Sequence, residues 1–233
     1  MNTCTSSPLI FCAIDTNDLD RAVHLAASIG PVTGGLKLGL QFVHSFGPSG
    51  IEAVQNACPQ AALFLDLKFH DIPNTVAGAV QAVCARFAPA YLNVHAAGGQ
   101  AMMEAAKAAC SENTKLLAVT ILTSLNAEAL QKIGYGNDVA QQVQKMALLT
   151  RESGLDGVVC SSHEIELLRS VCGPDFTLMV PGIRPEGADK GDQKRVMTPL
   201  QAVQAGATHL VIGRPITGHP DPARAAQDIL DQL

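Results

Sequence analysis

The sequence contains no tryptophan, and aromatic residues make up only 4% of its 233 residues. The core of the folded chain must therefore be mainly aliphatic. Charged residues are also sparse, at 16%, whereas hydrophobic residues reach 47%. This balance excludes an intrinsically disordered chain and leaves ample apolar material for a core.

The sequence also lacks a long run of basic residues, and its formal net charge is -5. Proteins that bind nucleic acid usually carry a basic stripe or patch, so we expect no nucleic-acid partner. A local cluster of Lys and Arg can still attract a small anion against the overall charge. A single anionic metabolite therefore remains compatible with this composition.

Metal-binding and disulfide patterns are missing as well. The seven cysteines are odd in number, and no two have CxxC spacing. This usage favours reduced thiols in a cytoplasmic protein and disfavours a structural zinc site. The N-terminal stretch MNTCTSSPLIFCAID lacks the basic region of a signal peptide, and no apolar run approaches the length of a membrane span.

The sequence does contain eight short β-type runs that alternate with helical stretches. These runs recur about every 29 residues, which is close to the spacing of a (β/α)8 barrel. The predicted strands cover residues 9–15, 34–39, 62–68, 91–96, 115–123, 157–161, 177–183 and 209–215. No linker rich in Pro, Gly or Ser divides the chain, so we predict an α/β fold with one TIM-barrel domain over residues 1–233.

The third run, ALFLDLK at 62–68, combines an apolar strand with charged residues near its end. Side chains alternate along a strand, so its leucines should face the surrounding helices. Asp66 and Lys68 should then point into the barrel at its C-terminal end, where the active sites of such barrels lie. A structural ion pair between Asp66 and Lys68 is the competing interpretation.

Other strands bring charged or polar groups to the same end. Lys37 lies between two leucines of the second strand, and Asp15 and Thr123 are placed at the ends of the first and fifth. A lysine that points inward seldom comes without a partner. Asp15, taken alone, fits a helix cap or turn equally well.

An anion site is predicted after strands 7 and 8, whose loops hold phosphate in many barrels. Arg184 and Arg214 each follow one of these strands, within the stretches PGIRPEG and VIGRPIT. Neighbouring glycines would let backbone N–H groups approach an anion. Two surface arginines are the alternative. The polar segment 184–199 is either a solvated loop or a mobile lid.

The stretch DLKFHDIPNT resembles the D-x-K-x-x-D-I-x-N-T signature of the orotidine 5′-monophosphate decarboxylase family. AID at 13–15, LKLG at 36–39, TILTS at 120–124, VPGIRP at 180–185 and VIGRPI at 211–216 also resemble that family. The resemblance extends over essentially the whole chain. It implies a (β/α)8 barrel that decarboxylates orotidine 5′-monophosphate to uridine 5′-monophosphate, the final step of de novo pyrimidine biosynthesis.

The resemblance also implies roles for particular residues, with neither a metal nor an organic cofactor. An alternating charge network would surround the substrate ribose and the reacting carbon, with Lys68 as the proton donor. A homodimer partner would complete that network. The implied residues are Asp15, Lys37, Asp66 and Lys68 for the network, Asp71 and Thr75 across the interface, Thr123 and Ser124 at the pyrimidine, Pro181 as a further substrate-binding residue, and Arg184, Gln193, Gly213 and Arg214 at the 5′-phosphate.

Two rival functions remain open from the sequence. Related sugar-phosphate barrels, such as hexulose phosphate synthases and ketogulonate phosphate decarboxylases, share the D-x-K-x-x-D core but use a metal ion. The continuation IPNT and the stretch TILTS favour the nucleotide enzyme over these. A non-catalytic nucleotide-binding barrel would keep the phosphate residues but could lose the Lys/Asp network.

Overall fold

In the computed structural model of the protein, the described residues are 9–136, 138–185 and 197–233. Their eight strands close into one parallel barrel in chain order, β1 to β8. The strands are β1 (Ile10–Ala13), β2 (Gly34–Gly39), β3 (Ala62–Phe69), β4 (Tyr91–His95), β5 (Lys115–Val119), β6 (Gly157–Val159), β7 (Thr177–Pro181) and β8 (His209–Ile212). The predicted (β/α)8 barrel is therefore confirmed, whereas the assignment of residues 1–233 to one domain stays a prediction.

Helices connect successive strands and cover the outside of the barrel. They are α1 (Leu19–Thr33), α2 (Leu40–Ala57), α3 (Pro73–Phe87), α4 (Gln100–Ala109), α5 (Ala127–Lys132), α6 (Val139–Glu152), α7 (Ile165–Cys172), α8 (Pro199–Gln204), α9 (Arg214–Thr217) and α10 (Pro222–Leu230). Local sequence explains where several of them begin. The side chain of Asp18 accepts a hydrogen bond from the Arg21 N–H at the start of α1, and Asp221 does the same for Arg224 in α10.

Several strands are shorter at their C-terminal ends than predicted. Strand β5 ends at Val119, so Thr123 lies in the following loop and not on the strand. Strand β8 ends at Ile212, and the chain turns directly into α9 at Arg214. Ile121 and Leu122 extend the apolar run past the end of β5, and a run of apolar residues alone does not mark where a barrel strand ends and its loop begins.

The apolar core has two separate parts. The larger part fills the space between the barrel and its helices and is mainly aliphatic, as the composition predicted. The smaller part fills the barrel interior and holds Phe11, Phe64 and Tyr91 together with Leu117 and Met179. Three of the nine aromatic residues in the chain are thus concentrated inside the barrel.

Strand β3 is irregular where its charged residues lie. Its pairing with β4 runs from Leu65 opposite Leu92 to Phe69 opposite Val94. Three residues of β3 therefore face a single residue of β4, which is Asn93. Lys68 within this bulge has a φ of 53°, a left-handed conformation that costs a non-glycine residue about 1–2 kcal/mol.

None of the helices within 9–136, 138–185 and 197–233 is both long and apolar enough to cross a membrane.

Candidate active site

A cavity of about 530 Å³ opens at the C-terminal end of the barrel strands. This is the end where the loops that follow parallel strands meet, and where barrel active sites are built. Nine of the residues proposed from the sequence line it: Asp15, Lys37, Asp66, Lys68, Thr123, Pro181, Arg184, Gly213 and Arg214. The structure thus brings together residues from six different strands or from the segments that follow them.

Four of these residues form a continuous chain of alternating charge. The Lys37 Nζ lies 3.3 Å from Asp15 Oδ1 and 3.4 Å from Asp66 Oδ2. The other oxygen of Asp66, Oδ1, accepts a hydrogen bond from Lys68 Nζ at 2.6 Å. Each lysine therefore has a carboxylate partner, and Asp66 holds both lysines at once.

Strand geometry explains why these charges converge. Lys37 lies opposite Ala13 in the β1–β2 pairing, and Gly39 lies opposite Asp66 in the β2–β3 pairing. A Cβ atom at position 39 would come within 3.0 Å of Lys37 Nζ and 3.3 Å of Asp15 Oδ1. Glycine at this position therefore leaves room for the lysine between its two carboxylates.

Burial and charge together set the protonation of the network. Burial alone lowers the pKa of Lys37, but the charges of Asp66 and Asp15 and their hydrogen bonds outweigh it, so its pKa lies above the ordinary value. Burial would raise the pKa of Asp66, but Lys37 and Lys68 lower it below the ordinary value, with help from two hydrogen bonds. Both groups are thus held in their charged forms at neutral pH.

Asn93 is part of this arrangement although the sequence analysis did not single it out. It lies on β4, is fully buried, and its Nδ2 donates a 2.7 Å hydrogen bond to Asp66 Oδ1. Its Oδ1 accepts a 2.8 Å hydrogen bond from the backbone N–H of Lys68. An asparagine inside the apolar run YLNVH was the available signal, because a buried amide needs polar partners.

The predicted anion end of the cavity lies at the ends of β7 and β8. Arg184 follows β7 and is buried, and its Nη1 donates to the Ile183 carbonyl at 2.9 Å. Arg214 follows Gly213 directly after β8, so the two arginines come from neighbouring strands. Guanidinium groups suit the recognition of phosphate oxygens, so this side of the cavity can take an anionic group.

Apolar side chains line much of the remaining wall. They include Phe64, Val119, Ile121, Val159 and Val211, which the sequence analysis did not assign to the site. Gln41 and the exposed Leu122 also line the cavity. Inward alternation along the predicted strands would have identified most of these residues. A flat ring can pack against such a wall while its polar edge meets the charged groups.

Three described residues proposed from the sequence are not among those lining the cavity, and a fourth cannot be placed. Ser124 is exposed, next to Thr123, and Gln193 lies outside the described residues. Asp71 and Thr75 are also exposed, and Asp71 Oδ1 accepts a hydrogen bond from the N–H of Ile72. All residues from 70 to 75 are exposed in the isolated chain, so this segment presents its side chains to solvent beside the cavity rim.

Two histidines lie beside the charged network. The rings of His70 and His95 are 5.4 Å apart between centroids, and His95 is half-buried at the end of β4. Burial, His70 and Lys68 lower the pKa of His95 below the ordinary value, against the opposing effect of Asp66. His95 is therefore neutral near pH 7.

The described cysteines are thiols, as the sequence predicted. Cys160 lines the cavity, and its burial raises the pKa of its thiol. Burial also raises the pKa of Cys12, to about 12. These thiols are protonated at neutral pH and are poor nucleophiles. Within the described parts of the chain, no three His, Cys, Asp or Glu side chains are grouped as the ligands of a metal ion.

Comparison with known proteins gives a consistent result. A family model described as "Orotidine 5'-phosphate decarboxylase / HUMPS family" matches residues 8–229. The orotidine 5'-phosphate decarboxylase of Moorella thermoacetica is 48% identical, and the match covers 96% of this chain and 91% of that protein. The protein of the same name from Rhodospirillum rubrum is 49% identical, with 100% and 96% covered.

The solved structures agree with the sequence relatives. The crystal structure of orotidine 5'-phosphate decarboxylase from Lactobacillus acidophilus has a TM-score of 0.84 with this chain at 33% sequence identity. The match covers 97% of this chain and 99% of that one. The similarity therefore includes the whole barrel and is not limited to one motif.

Proposed function

Because this chain belongs to the orotidine 5′-phosphate decarboxylase / HUMPS family, as its motifs indicated, we propose that it converts orotidine 5′-monophosphate to uridine 5′-monophosphate. The relatives carry the name of this carboxy-lyase, and the reaction would be the last step of de novo pyrimidine biosynthesis. One observation supports the proposal most directly. One cavity combines the alternating Asp15–Lys37–Asp66–Lys68 network with two arginines.

In the proposed reaction, the C6–CO₂ bond breaks and its electron pair stays on the pyrimidine carbon. Such a carbanion has no easy delocalisation within the ring, so fixed charges of the protein must stabilise it. We assign this role to the Lys68 ammonium group, which then donates a proton to C6. The hydrogen bond from Lys68 to Asp66 fixes the direction in which that ammonium group points.

One lysine cannot account for the whole rate enhancement. Opposite unit charges about 4 Å apart attract by about 4 kcal/mol at an effective dielectric constant near 20. Enzymes lower their reaction barriers by roughly 8–23 kcal/mol, so other interactions must contribute. Binding of the remote 5′-phosphate is the proposed source, because its free energy can hold the reacting ring in place.

The proposed substrate orientation follows from the positions of the charged network and the two arginines in the cavity. The 5′-phosphate would bind Arg184, Arg214 and the backbone at Gly213, and Gln193 would add to this site. The pyrimidine would lie against Pro181 and Thr123, with Ser124 nearby. The ribose would then reach Asp15 and Lys37. Seven of these nine residues line one cavity, and its volume of about 530 Å³ suits a single nucleotide.

Asp66 has a positioning role in this proposal. Its two oxygens bind different lysines, and its charge keeps Lys37 protonated despite burial. A second role, in which Asp66 repels the substrate carboxylate, would add ground-state destabilisation. The observed hydrogen bonds of Asp66 favour the first role, since they already engage both of its oxygens.

We further propose that the active enzyme is a homodimer, in which Asp71 and Thr75 of each chain reach the partner's cavity. Their exposure and that of Ile72, whose exposed fraction is 66%, support an interface at this segment. Mixing inactive Asp71→Ala and Lys68→Ala subunits should restore part of the activity, since one cavity of the mixed dimer is intact. Absence of recovery in a verified mixed dimer would contradict the shared site.

The decisive experiment follows the loss of orotidine monophosphate absorbance with purified protein, with and without EDTA. Turnover that persists with EDTA would support a reaction without a metal ion. Turnover that disappears with EDTA and returns with a divalent cation would instead favour the metal-dependent sugar-phosphate branch of the family. Binding of uridine monophosphate without any turnover would indicate a nucleotide-binding barrel.

The cellular location is also a proposal. Thiols at all six described cysteines and the small-molecule substrate are consistent with an enzyme of the cytoplasm. Fractionation of cells with an antibody to the native protein would test it.

A further inference from the structure

The bulge in β3 leaves the backbone of Lys68 without its usual strand partner. Between the pairs Leu65–Leu92 and Phe69–Val94, three residues of β3 lie opposite Asn93 alone. The Lys68 N–H donates to the side chain of Asn93, at 2.8 Å, in place of a backbone carbonyl. Asn93 on the neighbouring strand thus stabilises the left-handed φ of Lys68, which is 53°.

The same amide also holds the carboxylate of Asp66. Asn93 Nδ2 donates to Asp66 Oδ1 at 2.7 Å, and that oxygen accepts from Lys68 Nζ at 2.6 Å as well. A closed ring of hydrogen bonds therefore connects the Lys68 backbone, the Asn93 amide, the Asp66 carboxylate and the Lys68 ammonium group. The exposed fraction of Asn93 is 0%, so water cannot replace its amide.

From this ring we propose that Asn93 is a positioning residue, which fixes the Lys68 ammonium group relative to the reacting carbon by clamping both Asp66 and the Lys68 backbone. The inference rests on the proposed decarboxylation, in which Lys68 stabilises and protonates the carbanion. Asn93 itself does not line the cavity and acts only through its two neighbours. A purely structural buried amide would affect folding but not the electrostatics of Asp66.

Two near-isosteric substitutions separate these roles. Asn93→Leu removes both hydrogen bonds. Asn93→Asp keeps an acceptor for the Lys68 N–H but replaces the donor to Asp66 with a second carboxyl group. Two carboxyl groups at this distance share a proton, so the variant regains the lost hydrogen bond when that proton is bound.

The first measurement is the titration of Asp66 followed by ¹³C NMR of labelled aspartate carboxyl groups, with Asp66→Asn for assignment. In Asn93→Leu, the charged form of Asp66 loses one hydrogen bond, so its proton affinity should rise about tenfold. An unchanged titration of Asp66 would overturn the proposal. This measurement needs no substrate and therefore decides the matter even if orotidine monophosphate proves not to be turned over.

The second measurement is the pH dependence of turnover. Asn93→Leu should lower kcat about 10- to 100-fold at all pH values, with KM changed by less than about threefold because the phosphate side is intact. In Asn93→Asp, kcat should fall as pH rises and the shared proton is lost. Lys37, Asp15, His95 and His70 are the other titratable groups near the network, and they are unchanged in both variants, so their titration contributes equally to each pH profile.

Thr150→Val provides a matched control for the removal of a buried polar group. Thr150 is fully buried on α6, away from the cavity, and donates a 2.7 Å hydrogen bond to the Met146 carbonyl. It should leave kcat within about twofold of the wild type. If Asn93→Leu lowers kcat only as much as this control, the proposal is wrong. If Asn93→Leu does not fold, the Asn93→Asp variant still tests the proposal. A kcat of Asn93→Asp that does not change with pH would overturn it.

Discussion

The interior of the barrel holds aromatic rings towards the N-terminal ends of its strands and charged groups towards their C-terminal ends. At the first end, Phe11 lies edge-to-face against Phe64, Tyr91 and His209, with centroids 5.3–6.0 Å apart. The Tyr91 hydroxyl and His209 Nε2 are 2.7 Å apart, so even the polar atoms here have partners. At the second end, ion pairs connect lysines and carboxylates around an open cavity.

The two ends differ in what their interactions achieve. Edge-to-face rings in a buried layer stabilise the fold, and they need no ligand to do so. Buried ion pairs contribute little net stability, because desolvation of the charges offsets much of their attraction. The proposed function gives these charges a different role, which is to act on a bound nucleotide. We expect substitutions at this end to change turnover, and substitutions at the aromatic end to change stability.

The largest expected effect is that of Lys68→Ala. Removal of the ammonium group should lower turnover of orotidine monophosphate by about 10⁴-fold, because both charge stabilisation and proton donation are lost. Equilibrium binding of uridine monophosphate should remain, since the phosphate contacts are elsewhere in the cavity. Stopped-flow or long-time absorbance assays, together with calorimetric binding, measure the two quantities separately.

Lys115→Ala is the matched control at the other end of the same barrel. Lys115 is exposed, and its Nζ lies 5.8 Å from the centroid of the Tyr91 ring. Its removal should leave turnover within about twofold of the wild type. Near-normal turnover in Lys68→Ala would refute the role proposed for that residue, whatever the control shows.

The second prediction concerns the aromatic end. Phe11→Ala should lower the free energy of unfolding by about 3–5 kcal/mol, because it leaves a cavity among Phe64, Tyr91 and His209. Urea denaturation measures this loss, and Phe11→Leu should cost less since more of the volume is kept. Turnover per folded molecule should change by less than about threefold. A large loss of turnover with unchanged stability would show that the two ends are not separate in function.

Much of this contrast could be predicted from the sequence, since it depends on alternation along strands. Alternation along the run ALFLDLK correctly placed Asp66 and Lys68 towards the cavity, and the eight apolar runs predicted the closed barrel. The strand ends were less predictable. Apolar residues continue beyond β5, so Thr123 was assigned to a strand although it lies in a loop.

The bulge at Lys68 could not be predicted from local sequence. A left-handed φ at a lysine goes against its intrinsic preference and depends on contacts with β4, which is distant along the chain. The role of Asn93 was hidden for the same reason, because it needs the register of two strands. The approach of Asp71 and Thr75 to a partner's cavity depends on a second chain and stays a prediction.

The smallest expected effect is a dependence of stability on pH at the charged end. The pKa of Asp66 is lower in the folded protein than its ordinary value of 3.8, so its contribution to stability is complete above that pH. The contribution is lost as pH falls from there through the folded pKa. Asp66→Asn removes it at every pH and should cost about 2 kcal/mol near pH 7, as expected for hydrogen bonds to a charged group.

The gap in unfolding free energy between wild type and Asp66→Asn should therefore stay constant from about pH 7 to about pH 5 and shrink towards about pH 3. Urea denaturation at each pH measures it. Asp175→Asn changes an exposed residue in the loop before β7, at the other end of the barrel. Its unfolding free energy should differ little from that of the wild type at any pH. A gap that persists unchanged at the lowest pH would mean that the lysines do not favour the charged form of Asp66. In that case Asp66 would not be the group that holds Lys37 and Lys68 in place. The two lysines alone would then distinguish the charged end of the barrel from the aromatic end.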